Sequence, residues 1–317
     1  MDAITARHAA ADTSGALLEL LRRLDALGYA FVTPTPDTHG HVRRRSTAAG
    51  PDDTLRDIFG WSRPFAADLL EPGLLDLVRR ADVVRPCPEG LRLDIRVSTV
   101  GGRLYLHSAP TGDADAVFLG PDTYRYERFL RQQLGDRPAF GTALDIGVGA
   151  GVGAMTLASG RPEARVMGAD INARALALAG INAAHAGLEI ELRECSGLPP
   201  EPARFDVICA NPPYIAGEGG RIYRDGGDQL GAALALKWAH AAAGRLTPGG
   251  RFLLYTGSAI VAGRDGVHEA LCALARARGL GLAYEEIDPD VFGGMLRQDA
   301  YRDVERIAAV GAVLTAA

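Results

Sequence analysis

Residues 142–154 read T-A-L-D-I-G-V-G-A-G-V-G-A. The apolar opening, T-A-L-D-I-G-V, suits a strand buried on both faces. It runs straight into the glycine-rich stretch D-I-G-V-G-A-G-V-G-A, Asp145 to Ala154, and a helical pattern opens where the glycines stop. Glycine lets the backbone turn tightly and approach a ligand, and in open α/β sheets such a turn sits at the carboxyl edge where nucleotides bind. A second strand, A-R-V-M-G-A-D, ends at Asp170. A carboxylate there is placed to accept hydrogen bonds from two ribose hydroxyls. Strand, loop, helix and acid are in register for a nucleotide-type ligand, either a dinucleotide or S-adenosylmethionine.

Beyond Asp170 the same alternation continues. Strands are expected at E-I-E-L-R-E-C, ending at Cys195, and at D-V-I-C-A from Asp206. Further strands are expected from Arg251, from Gly281 and from Arg306, most of them separated by alanine-rich helical segments. Apolar strands alternating with helices imply a parallel sheet covered on both faces. The last two strands lack a helix of comparable length between them, so an antiparallel pair is expected at one edge.

Upstream, the pattern differs. Residues 16–28 have helical spacing and a glycine stop. The start of the chain reads as loose, and the polar stretch 33–53, with its Arg43-Arg44-Arg45 run, reads as loop. Helical segments broken near Pro64 and Pro72 follow, and then L-R-L-D-I-R-V-S-T-V-G-G-R-L-Y-L-H-S, from Leu91, alternates about Gly101-Gly102 as a β-hairpin does. The expected division is a small α+β module over residues 1–110, serving as substrate or cover module, and an α/β domain over 111–317.

The fourth strand of the α/β part ends in C-A-N-P-P-Y-I-A-G, Cys209 to Gly217. Two prolines cannot continue a central strand, so Asn211, Pro212 and Tyr214 face the edge that carries the glycine loop. Tyr214 reads as an exposed aromatic, free to stack on a planar group.

Asp145 directly before the glycines resembles motif I of the class I methyltransferases, D/E-x-G-x-G-x-G, more than the dinucleotide pattern G-x-G-x-x-G. The resemblance implies a fold, α/β with a Rossmann-like class I methyltransferase sheet, parallel with an antiparallel edge strand. It implies S-adenosyl-L-methionine as cofactor. Gly147, Gly149 and Gly151 would line its methionine part, Asp145 would sit near its amino group, and Asp170, assisted by Asn172, would hold the ribose. Cys195-Ser196 fall where the family contacts adenine, a place at which many members carry Asp.

N-P-P-Y resembles the motif of methyltransferases that act on a planar nitrogen, a base amine or a glutamine amide. By that resemblance Asn211 and Pro212 accept the N–H bonds of the acceptor, and Asn211 also borders the cofactor. Residues 115–317 look like the protein-glutamine methyltransferases that modify release factors. F-L-G-P-D-T-Y-R-Y-E-R-F-L, from Phe118, occupies the place of their P-R-P-x-T-E segment, with Gly120 before Pro121 and without its arginine.

A formal net charge of −5 argues against broad nucleic-acid binding, though not against a local basic patch. The four cysteines form no C-x-x-C pair and read as free thiols, with no metal site. No apolar leader or run of 18 apolar residues is present, so no membrane partner is expected and a cytoplasmic location is. His185 and His240 read as surface or packing residues rather than bases. Trp238 and Tyr223 are candidates for a substrate mouth, and D-V-F-G-G-M-L-R, from Asp290, for a connection that reaches the acceptor.

Three readings stand. The first is methyl transfer to a planar nitrogen of a protein or nucleic acid. The second is a small-molecule methyltransferase, such as a methionine S-methyltransferase or a specialised-metabolite N-methyltransferase. The third is a non-catalytic cofactor-binding regulator, against which an intact N-P-P-Y speaks.

Overall fold

The computed structural model describes residues 3–45, 54–135, 139–200, 203–214 and 230–317, with side chains from residue 12 onward. Helices are α1 (Ala3–Ala26), α2 (Pro36–Arg44), α3 (Pro72–Arg80), α4 (Pro121–Leu134), α5 (Val152–Gly160), α6 (Ala173–His185), α7 (Ala233–Ala243) and α8 (Gly266–Arg278). Strands in the N-terminal part are β1 (Val84–Cys87), β2 (Gly90–Leu93), β3 (Ile95–Val100) and β4 (Arg103–Ser108). The remaining strands are β5 (Thr142–Ile146), β6 (Arg165–Asp170), β7 (Glu191–Glu194), β8 (Phe205–Ala210), β9 (Leu246–Val261), β10 (Arg264–Asp265), β11 (Gly281–Asp288) and β12 (Arg306–Thr315).

The main sheet has the order β11-β12-β9-β8-β5-β6-β7, with β10 paired to the end of β9. β5 pairs parallel with both β6 and β8. The chain therefore steps outward from β5 through β6 to β7, then returns to lay β8 on the other side of β5. That reversal opens a crevice at the carboxyl ends of β5 and β8, the place where open α/β sheets bind ligands. The glycine loop leaves β5 there, and Asn211 leaves β8.

The antiparallel pair expected at one edge is β11–β12. The reversed strand, however, is β12, which lies inside the sheet between β9 and β11, antiparallel to both. The edge strand β11 runs with the majority.

Local chemistry explains the principal helices. In α4, Gly120 precedes Pro121 at the first helical position, and Thr123 Oγ1 accepts from Gly120 N at 3.3 Å. Tyr126, Phe129, Leu130 and Leu134 then bury one stripe. In α8, Asp265 caps by accepting from His268 N at 2.9 Å, and Gly279, at φ 64°, ends the helix.

Three expectations for the N-terminal part are corrected. Backbone from Ala3 already belongs to α1 instead of being loose. The polar stretch read as loop contains α2: Thr35 Oγ1 accepts from Thr38 N at 3.2 Å, and Pro36 stands at the start of the helix, where a missing N–H costs nothing. Leu91–Leu93 pairs with β1 in a separate hairpin, so only 95–108 form the hairpin about Gly101-Gly102. Both of those glycines have positive φ, 56° and 80°, as a tight two-residue connection requires.

The apolar core runs across residue 110. Leu20, Leu24 and Leu106 share one cluster with Met155, Leu178 and Ile181. Asn182 of α6, fully buried, makes the junction polar as well. Its Oδ1 accepts from Leu106 N at 2.8 Å, and its Nδ2 donates to Leu106 O at 3.1 Å and Ala150 O at 2.9 Å. One side chain thus ties β4 to the glycine loop. Asn182→Ala is expected to lower unfolding stability by about 3 kcal/mol, because it strands buried backbone groups. Urea denaturation measures this, and a loss below about 1 kcal/mol would contradict the tie.

Candidate active site

A cavity of about 810 Å³ opens at the carboxyl ends of β5, β6 and β8. Its floor is the glycine loop. Gly147, Gly149 and Gly151 have φ of 71°, 52° and 91°, a region that side chains other than glycine enter at a cost. Gly147 N and Val148 N both donate to Ala169 O, at 2.8 and 3.0 Å, and Gly149 N donates to Asp170 Oδ2 at 2.9 Å. The loop is therefore wrapped over the end of β6. A Cβ on Gly147 would stand 2.9 Å from the Trp238 ring, so the glycine there also makes room for the cavity wall.

Asp145, Gly147, Gly149, Asp170, Asn172, Cys195, Ser196, Asn211, Pro212 and Tyr214 all line this one cavity. Gly151 is the exception. It precedes α5 and turns toward α6, where a Cβ would meet Ala179 at 3.2 Å. Its role is close helix packing rather than cavity lining.

Asp145 is 2% exposed and fully engaged by the protein. Its Oδ1 accepts from Tyr126 Oη at 3.1 Å and faces Cys209 Sγ at 3.4 Å, while Oδ2 accepts from Ala154 N at 2.8 Å. Burial pushes its carboxyl up to about 7, against the lowering effect of those three donors. It is an anchor that locks β5, α4, α5 and β8 together beneath the cavity.

Asp170 accepts from Gly149 N with one oxygen and from Asn172 N, at 2.9 Å, with the other. Each oxygen keeps a further acceptor direction for a ligand hydroxyl. The Asn172 side chain is committed elsewhere: Oδ1 caps α6 through Arg174 N at 3.0 Å, and Nδ2 donates to Asp115 O at 2.8 Å. It positions the chain around Asp170. Cys195 lies beside Ser196, with Sγ 3.7 Å from Gly197 O.

Tyr214 departs from its reading as an exposed aromatic. It is 8% exposed, packed on Gly257 and edge-on to Phe292 with ring centroids 5.7 Å apart. Its hydroxyl is buried beside the Asp122 carboxylate without a hydrogen bond of good geometry. Asp122 is itself buried, accepts from Tyr255 Oη at 3.1 Å and lies 3.5 Å from Arg125, which in turn holds Asp288 at 2.7 Å. Burial raises the Asp122 carboxyl above the ordinary range. N-P-P-Y is thus braced from behind by aromatic packing around Tyr214, and Asn211, Pro212 and Pro213 line the cavity.

Asp122, Tyr126 and Tyr255 were not among the sequence candidates. The one signal that pointed toward the first two was the segment from Phe118 that precedes the glycine loop. Gly120 in place of a larger residue has a reason, since the Phe118 ring lies where a Cβ would stand. The connection from Asp290 does reach the site: Phe292, Gly293 and Met295 line the cavity, as does Trp238. Tyr223 falls outside the described residues.

The buried Asp145 carries a pH signature. Its folded value, about 7, lies above the ordinary aspartate value of 3.8, so between these values the folded chain holds a proton that the unfolded chain releases. Stability is therefore expected to fall as pH rises between these two values, by up to about 1.4 kcal/mol per pH unit. Asp145→Asn should flatten that slope in denaturant titrations. An unchanged slope would contradict a buried, proton-binding Asp145.

Residues 126–261 match the family model described as Methyltransferase small domain. The release factor glutamine methyltransferase of Cereibacter sphaeroides is 38% identical over 169 residues, which cover 49% of this chain and 57% of that protein. The enzyme of the same name from Bordetella pertussis is 34% identical over 165 residues, covering 48% of this chain and 60% of its own. The chain thus spans somewhat over half the length of these curated relatives. Among solved structures, the T. thermophilus 16S rRNA N2 G1207 methyltransferase, in complex with AdoMet and guanosine, covers 77% of this chain and 62% of its own, at 19% identity and a TM-score of 0.46. The stretch that holds the glycine loop, Asp170 and N-P-P-Y therefore matches the methyltransferase small domain in sequence, and it resembles the release factor glutamine methyltransferases.

Proposed function

We propose that this chain is an S-adenosylmethionine-dependent methyltransferase whose acceptor is the side-chain amide nitrogen of a glutamine in a protein. The observation that carries the reading is the convergence of Asn211 and Pro212 with the glycine loop and Asp170 on one cavity. The names of the curated relatives support the choice of a glutamine amide over other planar nitrogens.

The residues present suit the cofactor. Asp170 retains acceptor capacity for two ribose hydroxyls, the glycines keep the floor free of side chains, and Trp238 supplies an apolar wall. When bound, S-adenosylmethionine supplies an electrophilic methyl on a sulfonium. The chain's own part is to aim a poor nucleophile. An amide nitrogen delocalises its lone pair into the carbonyl, and transfer requires that lone pair to point at the methyl. Asn211 Oδ1 and the Pro212 carbonyl each accept one amide N–H, which orients the nitrogen and stabilises positive charge as it develops. The locked φ of proline fixes the carbonyl's direction. Packing of Tyr214 between Gly257 and Phe292 keeps the turn from relaxing.

The test is transfer of labelled methyl from the cofactor to a glutamine-containing peptide. Asn211→Ala is expected to lower kcat by about a hundredfold or more while cofactor affinity changes little. Asp170→Ala should show the reverse, with cofactor binding weakened first. Label appearing in free methionine or in nucleic acid, with none in the peptide, would overturn the choice of acceptor. Full turnover in Asn211→Ala would overturn the assignment of the site.

A further inference from the structure

A second cavity, of about 480 Å³, lies between the start of α2, the β3–β4 hairpin and the segment 108–119. It shares Pro36, Ala116, Val117 and Phe118 with the first cavity, so both spaces border the same short segment before α4. Phe118 is 41% exposed, unusual for a large apolar side chain in such a position.

The inner wall of this second space contains Arg96, from β3, which is 5% exposed. Its Nε donates to Gly60 O at 2.7 Å, and its guanidinium carbon stands 5.4 Å from the centroid of the Phe31 ring. Its Nη2 is buried and has no hydrogen-bond partner. Among the described residues no carboxylate pairs with it. The groups that act on its charge are Tyr29, Tyr124 and a second cation, Arg43. The Tyr29 hydroxyl is taken by Val97 O and that of Tyr124 by Thr33 N.

The histidines of the same wall add no charge of their own. Burial, with Arg96 and Arg43 nearby, pushes His39 down to about 4, and burial holds His107 well below its usual value. Both are neutral near pH 7.

A buried guanidinium without a counter-ion is costly, and a bound anion would offset that cost. The rest of the wall is consistent with a ligand that brings one anionic group on an apolar stem, for Pro34, Pro36, Ala109 and Val117 line it. The planar fork of Arg suits a carboxylate, and one buried positive charge balances one negative charge. We propose that this cavity binds a carboxylate carried by the methyl acceptor, with Arg96 as its counter-ion and Phe118 as the threshold between anchor and reaction site. That the anchored molecule is the acceptor rests on the methyl-transfer reading above; that the cavity binds a carboxylate does not.

Two measurements on the full chain separate these claims. First, sodium acetate and N-acetylglutamate are titrated while Trp61 fluorescence is followed in a Trp238→Phe background. Trp61 stacks on His39 at 5.6 Å and reports from this wall, and the chain has two tryptophans in all. Saturable binding is expected, about a hundredfold weaker in Arg96→Gln and partly retained in Arg96→Lys. No saturable response in the Arg96 protein, or equal binding by Arg96→Gln, would overturn the site. Because the Arg96 protein is itself read, a failure of Arg96→Gln to fold does not remove the test.

Second, methyl transfer is compared among peptides with an acidic or an amide residue near the glutamine, and between free glutamine and glutamine amidated at its carboxyl end. Arg96→Gln should raise KM for the carboxylate-bearing acceptor about a hundredfold with kcat kept, and leave the neutral one unchanged. A preference for acidic peptides identifies a side-chain carboxylate as the source, whereas a preference for free glutamine identifies its own carboxyl. Equal KM for charged and neutral acceptors would overturn the link to the acceptor. Carboxylate binding without any glutamine methylation would overturn the acceptor reading alone.

Discussion

One buried carboxylate holds the site together. Asp145 lies at the end of the central strand β5 and accepts from α4 through Tyr126 and from α5 through Ala154, with Cys209 of β8 beside it. β5, α4 and α5 each contribute lining residues to the cavity, and Asn211 enters it where β8 ends. A carboxyl in that position must be satisfied from several directions or remain protonated, and burial, outweighing the donors, pushes it above the ordinary carboxylate range. The absence of a Cβ at Gly153 follows from the same constraint, since one would stand 2.5 Å from the Asp145 carboxylate. Conventional core packing then fills the space around a fixed polar centre.

The sheet supplies the second constraint. Because β6 and β8 flank β5 and the chain departs from β5 in both directions, the glycine loop and N-P-P-Y end up side by side although they lie far apart in sequence. The N-terminal part is coupled to this crevice by Asn182, which bonds both Leu106 and Ala150. A single buried amide thus bridges β4 and the glycine loop. The proposed function rests on this convergence, with Asp170 and the glycine loop on one side of the cavity and Asn211 and Pro212 on the other.

Much of the arrangement was legible in the sequence because it rests on local rules. Strand periodicity, the glycine run after Ile146, the acid at the end of β6 and the paired prolines after β8 each have a backbone reason that a short window reveals. What was not legible depends on contacts between distant segments. Tyr214 reads as exposed from its place after two prolines, yet Gly257 leaves a slot that its ring fills. Gly151 belongs to the same run as Gly147 but faces Ala179, a difference set by how α5 meets α6. Asp122 looks like an ordinary first-turn acid, and only the fold brings Tyr214 and Tyr255 to it. The helix α2 was hidden because proline and threonine, read as turn formers, also start helices.

The central claim is that Asn211 and Pro212 hold an amide nitrogen in line with the transferable methyl. The most direct measurement is a crystal structure of the chain with S-adenosylhomocysteine and a glutamine-containing peptide. The account predicts the glutamine amide in the first cavity, its N–H groups donating to Asn211 Oδ1 and Pro212 O, with the nitrogen facing the sulfur. A glutamine side chain bound elsewhere, or one turned so that its carbonyl faces Asn211, would contradict it.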